Sequence, residues 1–159
     1  MAILETESRT SYDRVPYLSY LFRQTHPDRL ATIATLFGLR PAPPDCCHVL
    51  ELGCASGGNL IPMAEQLPQS KFLGIDSSIR QVRDGQSLID ELRLTNIELR
   101  CEDILGIEID RGRFDYIISC GVFSWVPENV QERVDQETTE GWPGELKCSM
   151  THPLIRRSS

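Results

Sequence analysis

No apolar run in these 159 residues approaches the roughly 18 that a membrane-spanning helix needs, and the opening MAILETESRTSYDR is too acidic and too polar for a secretory signal. Positive charge is scarce as well. Sixteen Lys and Arg against 23 Asp and Glu give a net charge of -7 with no basic stripe, which argues against a nucleic-acid surface. The six cysteines, Cys46, Cys47, Cys54, Cys101, Cys120 and Cys148, lack paired CxxC spacing, and several lie inside apolar runs. Neither zinc ligation nor a disulfide framework is expected; buried reduced thiols in a soluble cytoplasmic protein are. There is no internal repeat. The length suits one domain with a real core.

What the chain does have is a short apolar run that closes on an acid and opens into glycines: Val49-Leu50-Glu51-Leu52-Gly53-Cys54-Ala55-Ser56-Gly57-Gly58-Asn59. It reads as strand, loop and helix. Glycine is used where a backbone must approach a ligand closely or take positive φ, so Gly53, Gly57 and Gly58 predict a tight turn of the kind that opens a nucleotide crevice. An ordinary strand-to-helix turn would look similar, so the neighbours must decide. Leu60, Ile61, Ala64 and Leu67 continue helically, with Pro62 early enough to be tolerated and Pro68 as the stop. Lys71-Phe72-Leu73-Gly74-Ile75-Asp76 is then a second strand ending on an acid, about 20 residues after the turn, where a carboxylate can accept both hydroxyls of a ribose.

The pattern repeats downstream. Ile79, Val82, Ile89 and Leu92 mark a helix, with Gly85 near the same face where it permits close contact with the sheet. Residues 97–104 alternate and end in Glu102 and Asp103, giving a third strand; residues 114–121 form a fourth, of the buried parallel type. Strand and helix in alternation predict an α/β fold, a doubly wound parallel sheet whose ligand sits outside the carboxyl ends of the strands.

Upstream, residues 15–22 concentrate aromatics, which predicts a segment covering something. Thr25 as N-cap, Pro27 in the first turn and Asp28 predict a helix start, with Leu30, Ile33, Ala34 and Phe37 as its buried face and Gly38 as its stop. The proline-rich stretch 40–45 links this helix to the first strand. Residues 1–14 read as a flexible N-terminus, 128–135 as the start of a helix, and 135–159 as an irregular or disordered tail.

Glu51-Leu52-Gly53-Cys54-Ala55-Ser56-Gly57 resembles the acid-and-glycine first motif of class I S-adenosylmethionine-dependent methyltransferases, and Asp76 falls where that family's ribose-binding acid falls. Cys101-Glu102-Asp103-Ile104 is similar to the segment flanking the adenine, and Phe114-Asp115-Tyr116-Ile117-Ile118-Ser119 to the fourth-strand motif. More narrowly, Tyr12-Asp13, Val15-Pro16-Tyr17, Thr25-His26-Pro27-Asp28-Arg29-Leu30-Ala31 and residues 51–59 resemble bacterial methyltransferases that carry a separate methyltransferase-regulatory domain, some of them protein-lysine methyltransferases. The resemblance covers about residues 12–133 and makes 15–134 a partial methyltransferase domain.

The resemblance implies a Rossmann-like fold in which this chain supplies the N-terminal four strands of seven, preceded by a helix. It implies S-adenosylmethionine as cofactor, no metal, and cofactor binding by Glu51, Gly53, Cys54, Ala55, Gly57, Asn59, Asp76, Ser77, Asp103, Ile104 and Ser119. Ala55 replaces the family's frequent middle glycine, which requires that its φ be negative and its methyl fit. The remaining strands would need roughly 80 further residues, so the expectation is a C-terminally truncated chain with weak or no turnover alone. Its partners would be a protein substrate or the missing C-terminal half, with no nucleic acid and no membrane. No catalytic residue declares itself: Tyr12, Tyr17 and His26 could reach an acceptor amine from the N-terminal segment, His26 reads better as part of a helix start, Phe123 and Trp125 as packing, and Cys120 as a buried thiol. The alternatives are a nicotinamide-dependent Rossmann oxidoreductase, disfavoured because the turn lacks the full G-x-G-x-x-G register, and a non-catalytic half of a split enzyme.

Overall fold

The computed structural model describes residues 19–107, 113–120 and 126–139. Helix α1 (Pro27–Leu36) precedes strand β1 (His48–Leu52), and α2 (Leu60–Gln66), β2 (Lys71–Asp76), α3 (Ile79–Leu92), β3 (Ile97–Cys101), β4 (Tyr116–Ser119) and α4 (Glu128–Thr139) follow. The strands form one parallel sheet in the order β3-β2-β1-β4. Two successive crossovers build outward from β1 to β3, and the chain then returns to the other side of β1. That reversal makes the C-terminal end of β1 the switch point, where such sheets leave a crevice.

Both faces of the sheet are covered. One apolar layer gathers Leu30 of α1, Leu60 and Met63 of α2 and Val82 and Ile89 of α3 over Val49, Phe72, Leu99 and Ile118. The other packs Leu50, Leu52, Ile75 and Ile117 against Ile104 and Val134 of α4. Side chains alternate across a strand, so Glu51, between Leu50 and Leu52, belongs to the α1–α3 face. The doubly wound parallel architecture is the one the alternating pattern predicts.

Several local expectations are corrected. The N-cap of α1 is His26, whose Nδ1 accepts from the Asp28 amide at 3.3 Å. Thr25, buried in a 3₁₀ turn one residue too early, donates its hydroxyl to the Phe22 carbonyl at 2.9 Å. The buried face of α1 is Pro27, Leu30, Ala31 and Ala34; Ile33 is 37% and Phe37 79% exposed. Phe37 lies beyond the last helical turn, where Gly38 at φ 79° lets the Leu39 amide reach the Ala34 carbonyl at 3.0 Å. The expected cover of residues 15–22 is also only partial: Tyr20 is 58% and Leu21 44% exposed, and 15–18 lie outside the described residues. At the other end, α4 runs to Thr139, five residues past the boundary at 134 and into the stretch read as an irregular tail. Residues 1–14 and 140–159 fall outside the described residues.

Asn96, between α3 and β3, ties a third element to them. Its Nδ2 lies 2.9 Å from the Ala64, 3.1 Å from the Leu67 and 3.0 Å from the Ser70 carbonyl, closing the C-terminal end of α2. Among the described residues, no helix is long and apolar enough to cross a membrane.

Candidate functional site

The turn after β1 is sewn to β2 by backbone hydrogen bonds: the Gly53 and Cys54 amides donate to the Ile75 carbonyl at 2.8 and 3.0 Å. Three of its residues take positive φ, Gly53 at 73°, Ala55 at 49° and Gly57 at 75°. The two glycines do so at little cost. Ala55 does not, and the expectation of a negative φ there is overturned: an L residue in the left-handed region is strained by about 1–2 kcal/mol. The Asp76 carboxylate holds it there, with Oδ2 accepting from the Ala55 amide at 2.8 Å and Oδ1 from the Ser78 amide at 2.9 Å.

Asp76, the predicted ribose acceptor, therefore also builds the turn. The Glu102 amide donates to the Asp76 carbonyl at 3.0 Å, which brings the segment after β3 alongside. Asp103, exposed there, accepts from the Leu105 amide at 3.0 Å; Ser77 is exposed, and its carbonyl accepts from the Cys101 thiol at 3.6 Å.

Gly74 and Gly85 decide how closely the walls approach. A Cβ on Gly74 would lie 2.6 Å from Leu99 Cδ2 and 2.7 Å from Cys54 Sγ. One on Gly85 would lie 2.5 Å from Leu99 Cδ1 and 2.6 Å from the Ser56 carbonyl oxygen, so α3 packs directly on the turn. The close contact expected at Gly85 is present. Cys54 is buried against Gly74, and burial, then the Glu51 and Asp76 carboxylates, push its thiol far above the usual range. Its side chain packs inside; only its backbone belongs to the turn.

Glu51 is the most unusual group. It is buried, and desolvation pushes its pKa up to about 7 against the hydrogen bond from Asn59, which lowers it, with Asp76 raising it further. Oε1 accepts from Asn59 Nδ2 at 2.8 Å, while Oε2 is enclosed with no hydrogen-bond partner among the described residues. Such an orphaned acceptor costs free energy unless a donor arrives. Asn59, predicted to contact a cofactor, is a buried bridge. Its Oδ1 accepts from the Phe22 amide at 2.9 Å, and its Nδ2 lies 3.0 Å from Thr25 Oγ1. Ser19 completes the contact, its Oγ accepting from the Gly58 amide at 2.8 Å. A Cβ on Gly58 would lie 2.6 Å from the Ser19 carbonyl oxygen. Nothing in the sequence pairs Ser19 with Gly58, and Asn59 is singled out there only by the family resemblance.

The predicted residues do not all converge. Glu51, the turn and Asp76 gather at the ends of β1 and β2, with Asp103 beside them. Ile104 is buried in the α4 layer, and Ser119, which pairs with Leu52, belongs by alternation to that same face, its hydroxyl buried without a partner among the described residues. His26 spends Nδ1 on capping. Tyr12, Tyr17, Phe123 and Trp125 lie outside the described residues, and Cys120 is half-buried at the end of β4. Among the described residues, no group of three or more His, Cys, Asp or Glu could hold a metal.

The switch point, the glycine turn and the two strand-end acids are features of a doubly wound α/β domain. Residues 49–140 match the methyltransferase domain family, and the chain belongs to that family. It is 39% identical over 132 residues to an uncharacterised protein of Rickettsia prowazekii (strain Madrid E), covering 83% of this chain and 53% of the relative. A second uncharacterised protein of that organism is 45% identical over 123 residues, 77% of this chain and 22% of its own length. Among solved structures, PKMT2 from Rickettsia typhi in complex with AdoHcy superposes with a TM-score of 0.77 at 37% identity, over 83% of this chain and 26% of that one. The chain thus spans about half the length of one such relative and about a quarter of the others. The oxidoreductase alternative is not favoured by this kinship.

Proposed function

We propose that this chain binds S-adenosylmethionine at the ends of β1 and β2 and serves in methyl transfer. The observation that carries the reading is Glu51: a buried carboxylate with one oxygen fixed by Asn59 and the other without a donor among the described residues, directly before a turn whose backbone takes positive φ three times. An ammonium is the complement to that oxygen, and the amino group of a methionine moiety supplies one. Gly53 admits close approach of the ligand, Gly57 lets the turn pack on Leu99 and Ile61, Asp76 takes the ribose hydroxyls, and Asp103 borders the adenine.

The cofactor's sulfonium supplies the electrophilic methyl; the chain's task is to bind, align and exclude water. Glu51, the glycine turn and Asp76 would hold the cofactor, and an acceptor taking its methyl would give up a proton to solvent or to a base outside the residues described above. Likeness to PKMT2 supports a protein lysine as acceptor, and a protein as partner. A second partner is a polypeptide that adds to β4, which among the described residues pairs only with β1. The five free thiols among the described residues support a reducing, cytoplasmic setting.

Calorimetry of the purified chain with S-adenosylmethionine and S-adenosylhomocysteine tests the reading. Saturable heat with both, lost in Glu51→Ala, is expected; a folded chain that gives no heat with either would sink it.

A further inference from the structure

The short stretch of residues 19–25 lies across the glycine turn like a strap. Its outer side chains, Tyr20 and Leu21, face solvent, and it is held by the Gly58 amide on Ser19 Oγ and by the Asn59 amide group on the Phe22 amide and Thr25 Oγ1. The same Asn59 group holds Glu51 Oε1 at 2.8 Å. One side-chain amide therefore touches both the buried Glu51 carboxylate and the segment that covers the turn.

We propose that Asn59 is a positioning residue that couples ligand occupancy at Glu51 to closure of the 19–25 strap over the glycine turn, an inference that rests on the cofactor reading above. An ionised Glu51 can only accept hydrogen bonds, so Asn59 must present Nδ2 to it and Oδ1 to the Phe22 amide. A protonated Glu51 can donate, which permits the reversed amide. Reversal would set Nδ2 against the Phe22 N–H, two donors facing each other, and release the strap. A ligand ammonium on Oε2 keeps Glu51 ionised and so keeps Asn59 in the orientation that holds Phe22. Burial raises the Glu51 carboxyl and so favours its protonated form in the empty site, giving the ligand something to shift. Linkage is reciprocal: whatever factor the ligand gives to strap closure, closure gives to ligand affinity.

Hydrogen exchange at the Phe22 amide of the full chain, with and without saturating S-adenosylhomocysteine, reads the coupling. On the same sample, calorimetry establishes whether the ligand binds. Binding should slow Phe22 exchange on the order of tenfold in the wild type, and this increment should vanish in Asn59→Ala while amides of β1 and β2 stay protected. Should Asn59→Ala fail to fold, Ser19→Ala removes only the other anchor of the strap. It should speed Phe22 exchange in the free chain and weaken S-adenosylhomocysteine by a matching factor. Binding without any change at Phe22, or Ser19→Ala with a loosened strap and unaltered affinity, overturns the coupling and leaves the cofactor reading standing. Absence of binding overturns both.

Discussion

Ala55 and Glu51 show how single side chains carry this site. Ala55 was recognisable as a departure from a glycine position, but its φ of 49° is set by the Asp76 carboxylate 21 residues away and could not be read locally. Ala55→Gly should relieve the strain, raising unfolding stability by about 1 kcal/mol in a denaturant titration with unchanged m, less the extra entropy of an unfolded glycine. An unchanged or lower midpoint would show that the methyl is compensated by packing. Glu51 was legible as a strand-end acid and not as a buried one, because the layer that buries it comes from elsewhere in the chain. Its folded pKa, about 7, lies above the ordinary value of 4.5, so the native state binds the extra proton. Its contribution is therefore fully present below about pH 4.5 and is lost as pH rises through 7. Glu51→Gln keeps the acceptor for Asn59 without the charge. It should match the wild type in stability near pH 4, exceed it at pH 8 by on the order of 3 kcal/mol, seen as a higher Tm, and bind S-adenosylmethionine more weakly. Equal Tm values at pH 8 would remove the buried-charge argument.

At the scale of elements, the strands were the most legible part. β2 was delimited from residue 71 to 76 because an apolar run between a proline turn and an acid has one reading. Strands β3 and β4 ended earlier than expected, at Cys101 and Ser119, since pairing with a neighbour stops where that neighbour stops. Helix faces were less legible. Ile33 and Phe37 fit the period of α1 yet face solvent, because the period gives the angular spacing and the sheet chooses the side. Gly85 tests the packing of α3. Alanine would gain up to about 1 kcal/mol of helix propensity, but its Cβ would meet the Ser56 carbonyl at 2.6 Å, a backbone atom that cannot rotate away. Gly85→Ala should therefore lower stability by roughly 1–3 kcal/mol and weaken cofactor binding, seen together in a melting curve and a titration. A stabilised variant would mean that α3 shifts freely. Asn96→Ala should cost about 1–3 kcal/mol by leaving carbonyls at the end of α2 unpaired, and fast exchange in α2 would be its local signature.

At the scale of the whole molecule, the order β3-β2-β1-β4 puts Glu51, the glycine turn and Asp76 at one end of adjacent strands. A ligand there bridges two strands and the turn between them, so its binding energy adds to global stability. S-adenosylhomocysteine at a hundredfold excess over its Kd should add about 2.7 kcal/mol, a Tm rise of several degrees that grows with the logarithm of concentration. A Tm that responds to NADH and ignores S-adenosylhomocysteine would instead favour the oxidoreductase alternative.

The sequence by itself determined the alternation of strands and helices, the glycine turn and the acids at the strand ends, because hydrophobic period, glycine's freedom and strand-end polarity act over a few residues and leave a local trace. Only the tertiary structure decided that Asp76 braces Ala55, that Asn59 joins Glu51 to residues 19–25, and that Ile104 and Ser119 belong to the opposite face from Glu51. Those outcomes depend on which segments meet across the sheet, and hydrogen bonds between residues 21 to 37 positions apart leave no pattern in the chain that makes them.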